Sequence, residues 1–385
     1  MSITIRSFSR FSIRGIPNLA IITSRYFTTP RIDNSFACRR RYHVEGLVLA
    51  PVVFSGLFVA LWTWKCLMLV IFQNKIIYMP GLPPNARWEK IEDHASRCAG
   101  IKWREERIRA ADGTDLALCI TDMELGSGAT SMVPNVAFYI LYLQGNASSI
   151  PPRLPDLSSI LCMLKRRSSQ WDDRNVRCTT ACLSYRGYWT SRGRPTEKGI
   201  NMDTAAALSW ISQLHRNSYG GENQESGPSA KVVLWGQSIG AGVATNLAAE
   251  AIIPANVHLD SIILETPFTS IRAMLEVLYP QKWLPYRYLW PFLRNHLDSW
   301  KNLGIISRKY ETGNSPPEIF ILEAAKDELV PKELGQQLYD RCLDVQLPVT
   351  RKAVDGAFHN DTMFRGDGRR AVSEFLSHRM CSARV

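Results

Sequence analysis

A serine attacks an acyl carbon only when a base takes its proton and a third group orients that base. The 385-residue sequence contains such a set. Gly236-Gln237-Ser238-Ile239-Gly240 follows the apolar run 231–235 and precedes the small residues Ala241-Gly242-Val243-Ala244. This is a G-x-S-x-G pattern in a strand, turn and helix setting. Gly236 and Gly240, forming the nucleophile elbow, let the two backbones approach while Ser238 occupies the strained turn. Further on, the run 318–323 ends in Ala324-Ala325-Lys326-Asp327, and 349–354 ends in Asp355-Gly356-Ala357-Phe358-His359. Each places a titratable side chain just beyond a strand. Ser238, Asp327 and His359 are therefore the candidate catalytic triad, in the chain order Ser, acid, His. Glu323 reads as a strand-end carboxylate, Asp298 as a surface acid, and His378 falls within the last helical pattern. A tetrahedral intermediate also needs two backbone N–H donors. Ile239 supplies one, and Asn146 or Ala147, directly after the run 136–143, supplies the other.

Side chains so far apart in sequence meet only if regular elements carry them. Residues 103–122 read as two strands turning at Asp112-Gly113. β-rich runs, most of them apolar, follow at 136–143, 179–185, 231–235, 261–265, 318–323 and 349–354, with helical patterns at 154–166, 202–215, 241–251 and 368–378. Strand and helix in alternation predict a mainly parallel sheet covered by helices on both faces. Residues 217–230 read as a surface loop. Residues 271–310, dense in Trp, Tyr and Leu, read as a cap-like insertion that covers an acyl pocket or touches a membrane, or else as helices packed on the core.

The net charge of +11 is concentrated at the N-terminus, where residues 1–41 hold eight arginines against one acid, Asp33. The remainder is close to balanced, which argues against a nucleic-acid partner. The first residues, rich in Arg, Ser and Thr, suit a mitochondrial transit peptide. Residues 47–72 are almost wholly apolar and long enough to span a bilayer, with Trp62, Trp64 and Lys65 as interfacial anchors. The predicted organisation is a basic targeting or disordered segment at 1–43, a transmembrane helix at 44–72 and a folded domain at 73–385. The composition points first to the mitochondrial inner membrane and second to the endoplasmic reticulum membrane. Nine cysteines, scattered without C-x-x-C pairs, give no disulfide framework or metal-ligand spacing.

Several motifs share one order: Phe72-Gln73-Asn74-Lys75-Ile76-Ile77-Tyr78, Gly145-Asn146-Ala147, Tyr185-Arg186-Gly187-Tyr188, Gly193-Arg194-Pro195-Thr196-Glu197-Lys198-Gly199, Glu265-Thr266-Pro267-Phe268-Thr269-Ser270 and His359-Asn360-Asp361-Thr362. With them, residues 72–375 resemble the membrane-anchored branch of the α/β-hydrolase superfamily that includes monoacylglycerol and lysophospholipid lipases and depalmitoylating thioesterases. The resemblance implies the α/β-hydrolase fold. In that family His usually stands where this chain has Gln144, and Gly where it has Trp189. Gln144 is expected to hold the oxyanion loop through its amide, and Trp189 to add bulk near the site entrance.

These residues predict a membrane-tethered serine hydrolase acting on lipid or other hydrophobic carboxylic esters, with no cofactor or metal required. Acyl-thioester cleavage is the alternative that uses the same triad. A hydrolase-like scaffold kept only for binding is the alternative of another class.

Overall fold

A computed structural model describes residues 41–126, 136–171, 175–220, 228–311, 313 and 315–382. Of the basic targeting or disordered segment expected at 1–43, residues 1–40 lie outside them. The chain divides into two compact units, Met1–Val59 and Ala60–Val385. The described part of the first unit is helical and belongs to α1 (Arg41–Ile71). Within α1, Gly46–Ile71 is long and apolar enough to cross a membrane, and none of its residues is buried.

The second unit continues with α2 (Gln73–Tyr78) and a hairpin of β1 (Arg104–Arg109) and β2 (Asp115–Leu125). Alternation then sets in: β3 (Val136–Leu143), α3 (Leu154–Ser168), β4 (Val176–Ser184), α4 (Glu197–Tyr219), β5 (Ser229–Gln237), α5 (Ile239–Glu250) and β6 (Val257–Glu265). After α6 (Ile271–Leu278) come α7 (Ser299–Tyr310), β7 (Glu318–Ala324), α8 (Lys332–Asp344), β8 (Val349–Val354) and α9 (Gly366–Ser382). The strands form one eight-stranded sheet in the order β1-β2-β4-β3-β5-β6-β7-β8. β2 pairs antiparallel with β1 and β4; every other pairing is parallel.

The connection from β4 to β5 passes β3, so the crossovers run in opposite directions on either side. A crevice opens at such a switch point, beyond the carboxyl ends of β3 and β5. Helices cover both faces, which is why every side chain of β3 is buried and its only polar side-chain atoms, the hydroxyls of Tyr139 and Tyr142, are hydrogen-bonded to His215 and Gln237. Its Ala137, Tyr139, Leu141 and Leu143 join the core under α4, α5, α7 and α8. Its Phe138, Ile140 and Tyr142 join the core under α3 and α9. Each fully buried large apolar side chain contributes about 1.5–3 kcal/mol.

Differences from the sequence reading have local causes. α8 was not anticipated because it is mostly polar, yet Leu334, Leu338 and Cys342 recur at four-residue spacing and are buried. The stretch 271–310 divides in two. Its final part is α7, whose Leu303 and Ile306 are fully buried in the core, so the aromatic excursion ends near residue 298. The expected loop at 217–230 is shorter at both ends, since α4 runs to Tyr219 and β5 begins at Ser229.

An ion cluster, buried at Arg186 and Asp203 and exposed at Asp112, ties the loops at the carboxyl edge. Arg186, just after β4, reaches Asp203 of α4 at 2.7 Å and Asp112 of the β1–β2 turn at 2.7 Å. Gly199 makes room for it, because a Cβ there would lie 2.6 Å from Arg186 Cδ. Hydrogen bonds from the Arg186 guanidinium hold the Asp112 carboxyl well below the usual carboxylate range. Asp203→Ala leaves that guanidinium without its fully buried partner and is expected to cost about 3–5 kcal/mol. Thermal unfolding of the detergent-solubilised chain reads this directly, and an unchanged midpoint would refute the role given to the pair.

Candidate active site

At the end of β5 the backbone turns so sharply that Ser238 takes φ 52° and ψ −116°, a conformation side chains with a Cβ rarely adopt. The turn exists because two glycines allow contact. A Cβ on Gly236 would lie 2.1 Å from the Gly240 carbonyl oxygen, and one on Gly240 would lie 2.1 Å from the Leu143 oxygen. Ser238 N–H donates to the Glu265 carbonyl at the end of β6, 2.8 Å away.

Ser238 Oγ lies 2.9 Å from His359 Nε2. On the other side of the ring, His359 Nδ1 lies 2.8 Å from Asp327 Oδ2 and 3.0 Å from Oδ1. The Asp327 carboxylate is itself held, accepting the backbone N–H of Leu329 at 2.9 Å and Val330 at 2.8 Å. His359 N–H donates to Glu328 Oε2 at 3.0 Å, and Lys326 N–H donates to the Ala357 carbonyl at 2.8 Å, so the loops after β7 and β8 are joined through backbone groups. Thr362 Oγ1 donates to Glu265 Oε1 at 2.6 Å and Trp235 Nε1 donates to Glu265 Oε2 at 3.1 Å, anchoring the histidine loop to β5 and β6. Ser238 and His359 are both buried. Chemically, the ring can take a proton from the hydroxyl while the carboxylate fixes its tautomer. The three candidates from the sequence are thus in one hydrogen-bonded line.

Asn146 and Ile239, the expected oxyanion donors, both line the cavity that opens over Ser238. A Cβ on Gly145 would touch Ser238 Cβ at 3.6 Å, so the backbone of 145–146 lies against the serine. Ile239 begins α5, whose first N–H groups have no carbonyl partner within the helix and favour negative charge. Ala147 differs from expectation: its N–H donates to the Tyr78 carbonyl at 3.0 Å and is not free for an oxyanion. Of the two alternatives expected to complete the pair with Ile239, only Asn146 has no such backbone bond among the described residues.

Two further expectations are corrected. Gln144 is buried, but neither atom of its side-chain amide has a hydrogen-bond partner; its backbone carbonyl instead accepts Tyr185 Oη–H at 3.1 Å. Trp189 is not at the entrance. It is buried among the side chains under α3, its indole N–H donates to the Glu89 carbonyl at 2.7 Å, and its φ of 37° accounts for the glycine expected there.

Over Ser238 and His359 opens an apolar cavity of about 360 Å³. Met274, Leu275, Leu278, Tyr279, Leu289, Phe292 and Leu293 form one wall, and Leu69, Val70, Ile76 and Ile77 another. The sequence reading missed this second wall. The only signal for it was the 72–78 motif, whose Tyr78 carbonyl holds Ala147 and whose Gln73 accepts Arg294 N–H at 2.7 Å. Among the described residues, no group of three or more His, Cys, Asp or Glu could hold a metal ion, and all cysteines are free thiols.

No family model matches the chain. It is 29% identical over 247 residues to human alpha/beta hydrolase domain-containing protein 17B, covering 64% of this chain and 69% of that protein. It is 36% identical over 160 residues to the zebrafish (Danio rerio) lysophosphatidylserine lipase ABHD12, covering 41% of this chain and 38% of that protein. Human protein ABHD12B is 34% identical over 160 residues, 41% of this chain and 40% of its own length. The chain therefore spans about two fifths of the two ABHD12 relatives. Among solved structures, an alpha-beta hydrolase from Vibrio vulnificus superposes with TM-score 0.52 at 17% identity, over 80% of this chain and 91% of that one, which speaks for the fold. Relatives named as hydrolases and lipases support a hydrolase, and with the sheet order and the solved structure they make the chain a member of the α/β-hydrolase superfamily.

Proposed function

We propose that the chain is a membrane-tethered serine hydrolase that cleaves lipid or other hydrophobic carboxylic esters through an acyl-Ser238 intermediate. The observation that carries this reading is the line Ser238 Oγ, His359, Asp327, with spacings of 2.9 Å and 2.8 Å, at the floor of an apolar cavity. In the first half-reaction His359 Nε2 takes the hydroxyl proton as Ser238 Oγ attacks the ester carbonyl. The oxyanion is stabilised by the N–H groups of Ile239 and Asn146. Collapse expels the alcohol, which receives the proton from His359. Water, deprotonated by the same nitrogen, then attacks the acyl-serine and releases the carboxylic acid. No metal or organic cofactor enters these steps.

The apolar cavity walls favour a hydrocarbon acyl chain, and a relative named as a lysophosphatidylserine lipase supports a lipid ester. The helix Gly46–Ile71 is the proposed tether. Composition of residues 1–40 directs the proposal to the mitochondrial inner membrane, with the endoplasmic reticulum membrane as the alternative destination.

A fluorophosphonate probe is expected to label Ser238 in the folded chain and not Ser238→Ala, which lowers kcat by about a millionfold. Asp327→Asn, which disturbs the ring's tautomer, lowers it by about 10⁴-fold. A folded parent chain that resists the probe defeats the proposal. Along a series of straight-chain esters, kcat/KM is expected to rise about fourfold per added methylene until the cavity is full, from about 0.8 kcal/mol for each buried CH₂. A flat series would remove the acyl assignment of the cavity. Because the Ser238 backbone is strained, Ser238→Gly is expected to be more stable than Ser238→Ala by about 1 kcal/mol, although both are inactive. Equal thermal midpoints would show that the turn stores no such strain.

A further inference from the structure

The aromatic excursion between α6 and α7 has an outer face that the cavity does not use. Trp283 is 67% exposed, Tyr288 54% and Trp290 43%, and none of the three lines the cavity. Leu278 and Phe292, at the rim of the cavity, are also exposed. Water is a poor partner for so many large apolar side chains placed together. What covers them is indicated by their neighbours. The Trp283 ring lies 5.7 Å from that of Trp62, and the Lys65 ammonium sits 4.4 Å above the Tyr286 ring. Trp62 and Lys65 belong to the last turns of the apolar helix, so the excursion begins where that helix still presents apolar side chains outward. Cations surround the same face: Arg272 stacks on Trp290 at 4.2 Å, Arg287 lies 5.9 Å from the Tyr288 ring, and Lys282 is exposed. Tryptophan and tyrosine flanked by Lys and Arg suit the boundary between headgroups and acyl chains.

We propose that Trp283, Tyr288 and Trp290 form a bilayer-docking face that seats the mouth of the cavity in the headgroup region, so that an amphiphile reaches Ser238 sideways from the leaflet without crossing water. The proposal rests on reading α1 as the membrane tether, and the experiment keeps the two apart.

The full chain is reconstituted in phosphatidylcholine vesicles with either ordinary or brominated acyl chains. The emission lost on Trp283→Phe/Trp290→Phe, taken as a difference from the parent, is expected to be strongly quenched by the brominated chains. Equal difference emission in both vesicles overturns the docking face, whether or not the chain proves to be a hydrolase. With activity as the readout, Trp283→Glu/Trp290→Glu is expected to lower kcat/KM about tenfold or more for a long-chain ester embedded in vesicles. Turnover of a water-soluble acetate ester should stay within about twofold of the parent. Loss of both activities to the same extent, or of neither, overturns the proposal. Release of the chain from membranes by alkaline carbonate would defeat the tether alone.

Discussion

The architecture turns on a backbone contact that allows almost no side chain. Where β5 meets α5, the Gly236 Cα faces the Gly240 carbonyl, and Gly240 faces the last carbonyls of β3, at distances a single methyl group would violate. With that contact made, the first turn of α5 lies against the ends of two adjacent strands, and Ser238 is pushed out at the crest of the turn. The approach also dictates the composition of α5. Residues 239–249 are all buried, so the helix is built of Ala, Gly, Val, Ile and Leu, with the polar Thr245 donating to the Gly242 carbonyl and Asn246 accepting from Asn302 of α7. The crevice predicted by the strand order and the N-terminus of a buried helix thereby coincide.

Around this fixed point the other loops are held by polar groups rather than by apolar packing, because they lie at the sheet's edge where side chains must also satisfy backbone donors. Glu265 is the hub. Its carbonyl takes the Ser238 N–H, and its fully buried carboxylate accepts from Trp235 and Thr362. A buried carboxylate is tolerable only with such partners, and here they come from the strand before the serine and from the loop that carries His359. Glu197 does the same on the opposite side, accepting Leu297 N–H at 3.1 Å and Asn246 Nδ2–H at 2.8 Å, so the entry to α7 is tied to α4 and α5. Motifs that looked like isolated signatures in the sequence are thus rivets between loops.

How legible these parts were depended on which force sets them. β3 is legible to its actual ends, Val136–Leu143, since an apolar run bounded by polar residues marks it, and β8, Val349–Val354, since Pro348 and Asp355-Gly356 bound it. β4 and β6 start earlier than expected because Arg177 and His258 interrupt the apolar pattern while the ladder continues through them. Helix α8 hid behind its polar face, and Gly335 within it reads as a breaker although it exists to clear Glu323, whose Oε1 would lie 1.8 Å from a Cβ. For the site, Ser238, Asp327 and His359 could be selected because order and position after strands constrain them. The partner of a backbone N–H cannot be read from residue type, and so the Ala147 bond to Tyr78 and the unbonded amide of Gln144 were beyond reach.

The bond from Ala147 to Tyr78 also bears on how the apolar helix and the site are related. Tyr78 Oη–H donates to Asn295 at 3.0 Å, Asn295 Nδ2–H donates to Asn74 at 2.6 Å, and Arg294 reaches the Val70 and Ile71 carbonyls at 3.1 Å each. The end of α1 is therefore closed by a guanidinium from the aromatic excursion, a favourable place for a cation. Through Tyr78, the same polar chain continues to the loop beside Ser238. Val70, which walls the cavity, is one of the two residues so fixed, and Leu69 beside it lines the same wall. A helix that only tethered a domain would be joined to it by a linker indifferent to the chemistry. Here its last turn is part of the cavity and is hydrogen-bonded to the excursion, while α2, which follows it directly, is bonded to the loop beside Ser238, so the position of the apolar helix end and the shape of the cavity are one structural variable.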